Sequence, residues 1–198
     1  MSSELIIALS VFALVASITP GPNNLMLMSS GATFGFKRTI PHMLGVGLGF
    51  VFMLLMVGIG LLQLFDSYPL TYQILKVLSV IYLCYLAFKI ATSSSPEHNP
   101  NNNAKPFSFL QAASFQWFNP KAWTMALTAT SVYSPTHDLD AILLIALVFG
   151  LVNLPCVSLW TILGQQLRKL LKKASHLRCF NLTMAALLVL SIYPVLNE

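Results

Sequence analysis

Charge is what this sequence has least of. Only 9% of its 198 residues are Asp, Glu, Lys or Arg, against 56% hydrophobic residues. A soluble globular domain carries about a quarter charged residues, so that class is excluded. Acid is scarcer than base. The six carboxylates (Glu4, Asp66, Glu97, Asp138, Asp140 and Glu198) all fall at chain ends or between apolar stretches, which leaves no buried carboxylate pair for acid–base chemistry. Three cysteines, Cys84, Cys156 and Cys179, form neither a CxxC pair nor an even-numbered disulfide framework. The four histidines, at 42, 98, 137 and 176, are scattered without metal-ligand spacing. These absences argue against an enzyme and against any metal or cofactor.

What is present is apolar length. A membrane-spanning helix needs about 20 apolar residues to cross roughly 30 Å of hydrocarbon. Six segments qualify, at about 5–34, 39–64, 69–91, 107–133, 140–164 and 179–196, which predicts one all-α integral membrane domain occupying residues 1–198. The formal charge of +5 does not indicate a nucleic-acid partner, because its placement follows the spans. Lys37 and Arg38 follow the first, Lys89 and Lys105 flank the link after the third, and a basic block at 164–178 separates the fifth from the sixth. The other loops hold Asp66, Asp138 and Asp140 but no Lys or Arg. Positive residues mark cytoplasmic loops, so both termini are expected on the outer side. Glu4 is the only charge before Lys37, which does not suit a cleaved signal peptide.

The stretch 93–106, SSSPEHNPNNNAKP, is polar and low in complexity and reads as a linker between two three-span halves, about 1–92 and 107–198. An odd number of crossings per half makes the second half enter from the opposite side, the pattern of an inverted repeat. Each half opens on a span interrupted by proline. The first contains ITPGPNN (Ile18–Asn24) and the fourth contains QWFNPKAW (Gln116–Trp123). Proline removes a helix hydrogen bond and kinks the axis. Irregular backbone persists at that depth only when buried in protein or lining a cavity. The two breaks are therefore expected to face each other and to line a substrate site built from Thr19, Pro20, Gly21, Pro22, Asn23, Asn24, Gln116, Asn119 and Pro120. Amides supply both donors and acceptors, and half-helix ends supply oriented N–H and C=O groups. Such a set suits a zwitterion.

At these residues the chain resembles the amino-acid exporter family named for the lysine exporter, which also contains homoserine and threonine exporters. The matching stretches are T19-P-G-P-N23, the turn G35-F-K-R38, the glycines Gly45, Gly47 and Gly49, IYLCYLAFKIATS (Ile81–Ser93) and AKPFSF (Ala104–Phe109). ITPGPNN together with KIATS and AKPFSF looks most like the cysteine and O-acetylserine branch. The resemblance implies secondary transport: proton-driven efflux of a small amino acid or derivative, cysteine/O-acetylserine-like or homoserine/threonine-like, across a bacterial inner membrane. A membrane thiol–disulfide carrier and a passive channel are the other readings. The first would need a cysteine at each break, where this chain has Asn23 and Asn119.

Two ionisable groups are candidates for coupling to protons. Lys121 lies near the middle of span four, where burying an ammonium costs about 2.5–3.5 kcal/mol unless it meets a cavity or a partner. Either Lys121 gives up its proton during transport, or it stays charged and binds the substrate carboxylate, or it merely reaches carbonyls freed by the Pro120 kink. His42, a few residues inside span two, is the alternative relay. Gly45 and Gly49 are expected to pack helices within the bundle, with a homo-oligomer contact as the other use of such a stripe. Trp117, Trp123 and Trp160 are expected to serve packing.

Overall fold

Hydrocarbon offers the backbone no hydrogen-bond partner, so a chain this apolar must satisfy its peptide groups internally. Accordingly, every regular element among the residues described by the computed structural model (1–61, 69–92, 105–134, 138–168, 171 and 174–193) is helical. The expected linker lies outside the described residues over 93–104, as do Asp66, Glu97, His98, His137 and Glu198.

Helix α1 (Ser3–Ile18) is followed by an extended link and by α2 (Pro22–Phe34), with a 53° bend between them. The chain then turns at Gly35, whose φ of 80° is left-handed backbone that favours glycine. Helix α3 (Phe36–Met56) begins at once and ends in a π-helical turn, Val57–Leu61. Helix α4 spans Pro69–Ala91. The fourth expected span divides into α5 (Phe109–Phe115), a 3₁₀ turn (Gln116–Phe118) and α6 (Pro120–Tyr133). Helix α7 (Leu139–Arg168) and helix α8 (Ala174–Leu190) complete the order.

Helices thus occupy all six expected segments. Among the described residues, Phe36–Gly60 and Leu139–Leu167 are each long and apolar enough to cross a membrane, and α1 with α2 qualifies as a bent third span. Some boundaries differ from the sequence reading. Span two starts at Phe36, so Lys37 and Arg38 sit in the first turn of α3, where the Arg38 guanidinium lies 5.4 Å from the Phe34 ring centre. The basic block 164–178 is mostly helical where it is described. Helix α7 runs through Arg168, a cation suited to a helix C-terminus, and α8 starts at Ala174, ahead of the expected 179.

Helix α7 is the spine, packing against α1, α2 and α3. The α2–α7 contact is the closest of these. A Cβ on Gly31 would collide with the Thr161 carbonyl oxygen, and one on Gly164 with the Met28 carbonyl oxygen. Glycine at both positions lets the backbones touch, which in lipid is the main source of helix association. The Gly45/Gly49 stripe of α3 meets α5 in the same way, at Phe109, Ala112 and Ala113. At the α2–α3 corner the Ser30 and Thr39 hydroxyls are 2.9 Å apart, and the Phe36 N–H donates to Gln165 Oε1 at 2.6 Å.

Gly31→Ala and Gly164→Ala should each destabilise the protein by about 1–3 kcal/mol through overpacking. Gly150→Ala meets only the Val51 side chain at 3.3 Å and should be close to neutral. Thermal unfolding in detergent checks this, and equal effects at all three positions would show that α2 and α7 have room to separate.

Candidate functional site

A helix that stops in hydrocarbon leaves its last carbonyls without partners. At the end of α1 each of them has found a donor. The Thr19 N–H closes onto the Val15 carbonyl at 3.2 Å, and the Thr19 hydroxyl donates to the Ala16 carbonyl at 3.1 Å. Asn24 Nδ2 donates to the carbonyls of Ser17 and Thr19, both at 2.8 Å. Trp160 of α7 donates its indole N–H to the Ile18 carbonyl at 3.1 Å. Lys121, from the other half of the chain, donates through Nζ to the Thr19 carbonyl at 2.7 Å, the Thr19 hydroxyl at 2.8 Å and the Pro20 carbonyl at 3.3 Å. Its ammonium therefore sits at the negative end of the α1 dipole.

Gly21 makes that approach available. Its backbone is extended (φ −176°), which any residue adopts, so the requirement is space. A Cβ there would lie 2.6 Å from Lys121 Cδ. Pro22 then opens α2 at its first position, where the missing N–H costs nothing.

The second break is tied to the first by an amide pair. Asn23 Nδ2 donates to Gln116 Oε1 at 2.8 Å, and Gln116 Nε2 donates back to Asn23 Oδ1 at 3.2 Å and to the Ala112 carbonyl at 2.8 Å. Gln116 is 0% exposed. Asn119, 2% exposed, caps α6 by accepting from the Lys121 N–H at 3.2 Å, with Pro120 at the first helical position. The Trp123 indole donates to the Trp117 carbonyl at 2.9 Å, and the two rings meet edge to face.

The expected site residues are therefore brought together, with Lys121 among them. The Lys121 ammonium reaches carbonyls freed at the first break, where the sequence had suggested those of its own kink. His42 is elsewhere, buried beside Phe107 with ring centres 5.3 Å apart. Two contributors were missed. Asn153 of α7 donates to Ser17 Oγ at 3.3 Å, while its own Oδ1 is buried with no partner among the described residues. Trp160 carries the Ile18 bond. A lone Asn in the middle of a long apolar helix was a signal available in the sequence for Asn153. Cys84 and Cys179 are exposed and Cys156 is buried in α7, so none lies at a break.

Between the breaks lies a cavity of about 20 Å³, lined by Ser17, Asn23, Asn24, Asn119, Lys121 and Asn153 among others. That is room for about one water molecule. Apart from Asn153 Oδ1, the amides and the Lys121 ammonium are satisfied by one another and by the freed backbone.

The family model for LysE type translocators matches residues 14–191. Cysteine/O-acetylserine efflux proteins from Escherichia coli (strain K12), Shigella sonnei (strain Ss046) and Shigella flexneri are each 30% identical to this chain over 193 residues, covering 96% of it and 96% of their own length. No solved structure matches.

Lys121→Ala should cost about 1–3 kcal/mol of stability, because it leaves the Pro20 carbonyl without its donor and the Thr19 carbonyl with one fewer. Gly21→Ala should cost a similar amount by displacing the same side chain. Combined with Lys121→Ala, however, Gly21→Ala should add almost nothing, since the atom it collides with is gone. Full additivity in chemical unfolding would contradict this packing of Lys121 over Gly21.

Proposed function

This chain belongs to the LysE type translocator family, and on that footing we propose that it exports a small neutral amino acid of the cysteine/O-acetylserine class through the two facing helix breaks. It is a multi-pass membrane transporter of amino acids and not an enzyme. In the proposed arrangement six spans form two inverted three-helix repeats in an inner membrane, with both termini on the outer side and the Lys37, Lys89, Lys105 and Arg168 ends in the cytoplasm. Part of the helix packing is consistent with the inversion: α1 packs on α7 as α5 packs on α3, while α3 meets α7 and α4 meets α8 across the implied axis. The extensive α2–α7 contact has only a slight counterpart between α6 and α3.

The observation that carries the proposal is the polar lock itself. Asn23, Asn24, Gln116, Asn119 and Lys121 bond each other and the freed backbone around a cavity too small for any amino acid. A zwitterion brings what is needed to replace those bonds. Its ammonium takes the place of the Lys121 ammonium on the Thr19 and Pro20 carbonyls, and its carboxylate accepts from the released amides. Opening therefore replaces the bonds of the freed carbonyls and the released amides with bonds to the substrate, in a medium where a stranded polar group is costly.

The proton gradient drives export on this reading, and Lys121 is the group that releases and regains a proton as it leaves and returns to the α1 end. His42 is the alternative relay. In proteoliposomes with an imposed proton gradient, the protein should move O-acetylserine, cysteine, threonine or homoserine saturably and against its concentration gradient. Asn23→Leu or Asn119→Leu should abolish flux while leaving membrane insertion intact. Lys121→Arg keeps the cation but cannot titrate near neutrality. It should therefore retain downhill exchange and lose uphill transport, and uphill transport by this variant would remove Lys121 as the proton carrier. Non-saturable flux in the unmodified protein would mean a channel.

A further inference from the structure

A second cavity, of about 570 Å³, opens at the end of the bundle that carries Lys89 and Lys105, and its lining includes Thr33 and His42. Its volume is in the range of small-molecule sites, unlike that of the closed cavity between the breaks. Two of its lining residues are anomalous. Thr33 and His42 are each 1% exposed, and the Thr33 hydroxyl and both His42 ring nitrogens have no hydrogen-bond partner among the described residues. Leaving buried polar atoms unpaired is unfavourable, and it is kept where a ligand completes them. Thr33 comes from α2 and His42 from α3, so two elements bring residues with unpaired buried polar atoms to the wall of one cavity. Nearer the mouth, the exposed Lys89 places its ammonium 5.0 Å from the centre of the Phe107 ring, and that ring in turn lies against His42.

We propose that this vestibule is a loading site, separate from the helix breaks, that binds a small zwitterionic amino acid before it reaches them. The Lys89 and Lys105 ammonium groups attract the carboxylate. The His42 imidazole and the Thr33 hydroxyl, each able to donate and accept, receive the polar end of the ligand. Met26 of α2 lines the inner part, one helical turn from Asn23 of the amide pair, so a ligand held there stands directly before the lock. This inference rests on the proposed transport function for its choice of ligand, but its test does not depend on transport.

The test is equilibrium binding of radiolabelled O-acetylserine, serine, threonine and homoserine to the full-length protein in neutral detergent. At least one should bind. Thr33→Val and His42→Phe should each weaken binding about tenfold or more, the equivalent of a lost hydrogen bond in a site built for one. Leu182→Ala, at an exposed position of α8 away from both cavities, should leave it within about twofold. Because Thr33 Oγ1 has no partner to lose, Thr33→Val should unfold at the same temperature as the unmodified protein or higher, so a loss of binding in it is not a loss of fold. Absence of binding for all four amino acids overturns the proposal whatever the flux, as does unchanged binding in both vestibule variants. Displacement by phosphatidylglycerol and not by amino acids would assign the cavity to lipid and overturn it as well. Binding with this variant pattern but without flux in liposomes would sink the transport reading alone.

Discussion

A carbonyl in hydrocarbon has no water to turn to, and that constraint organises this molecule. Two of the expected spans are broken, and several polar residues near the breaks supply a donor to the exposed backbone or hold in position a residue that does. Asn24, Trp160 and Lys121 come from three different helices to serve one helix end, that of α1. The donors tie α2, α7 and α6 to α1 in addition to the apolar contacts. In this medium apolar contact alone gives no preference for protein over lipid.

Saturation of this kind is also what makes the breaks usable. Each bond in the lock is to a group that a zwitterion can mimic, so on the proposed reading opening is a substitution. The closed cavity and the much larger vestibule beside it suggest an order of events. On the proposed reading the ligand is collected at the basic end, held against Met26, and admitted when the Asn23–Gln116 pair parts. Glycine contributes at both levels. Gly31 and Gly164 allow α2 and α7 to share one close contact, while Gly21 leaves the channel through which the Lys121 side chain passes.

Much of this was legible in the residues. Pro20, Pro22 and Pro120 cannot continue a helix, so both breaks were readable, and the amides beside them had to be buried in protein. Their pairing was not readable. That Asn23 would choose Gln116, and that Lys121 would serve carbonyls 102 and 101 residues away, depends on how the two halves dock. No local pattern encodes that. The glycine stripe Gly45/Gly49 announced a close contact through its own spacing, whereas Gly31 has no second glycine in α2, Gly164 lies far along α7 from Gly150, and the two become a pair only across α2 and α7. His42 appeared to be near a span end because the expected boundary fell at 39. The helix starts earlier, at Phe36, and Phe107 packs against the ring. The vestibule combines residues from α2, α3, α4 and α5, and only tertiary structure assembles it.

The central claim is that the two breaks act as one unit through the Asn23–Gln116 pair, and a double-mutant cycle on unfolding free energy measures it directly. Asn23→Leu and Gln116→Leu should each destabilise the protein, and together they should cost less than their sum, with a coupling of about 1 kcal/mol. Additivity within about 0.3–0.5 kcal/mol would mean that the two breaks are neighbours without being joined, and would contradict the account.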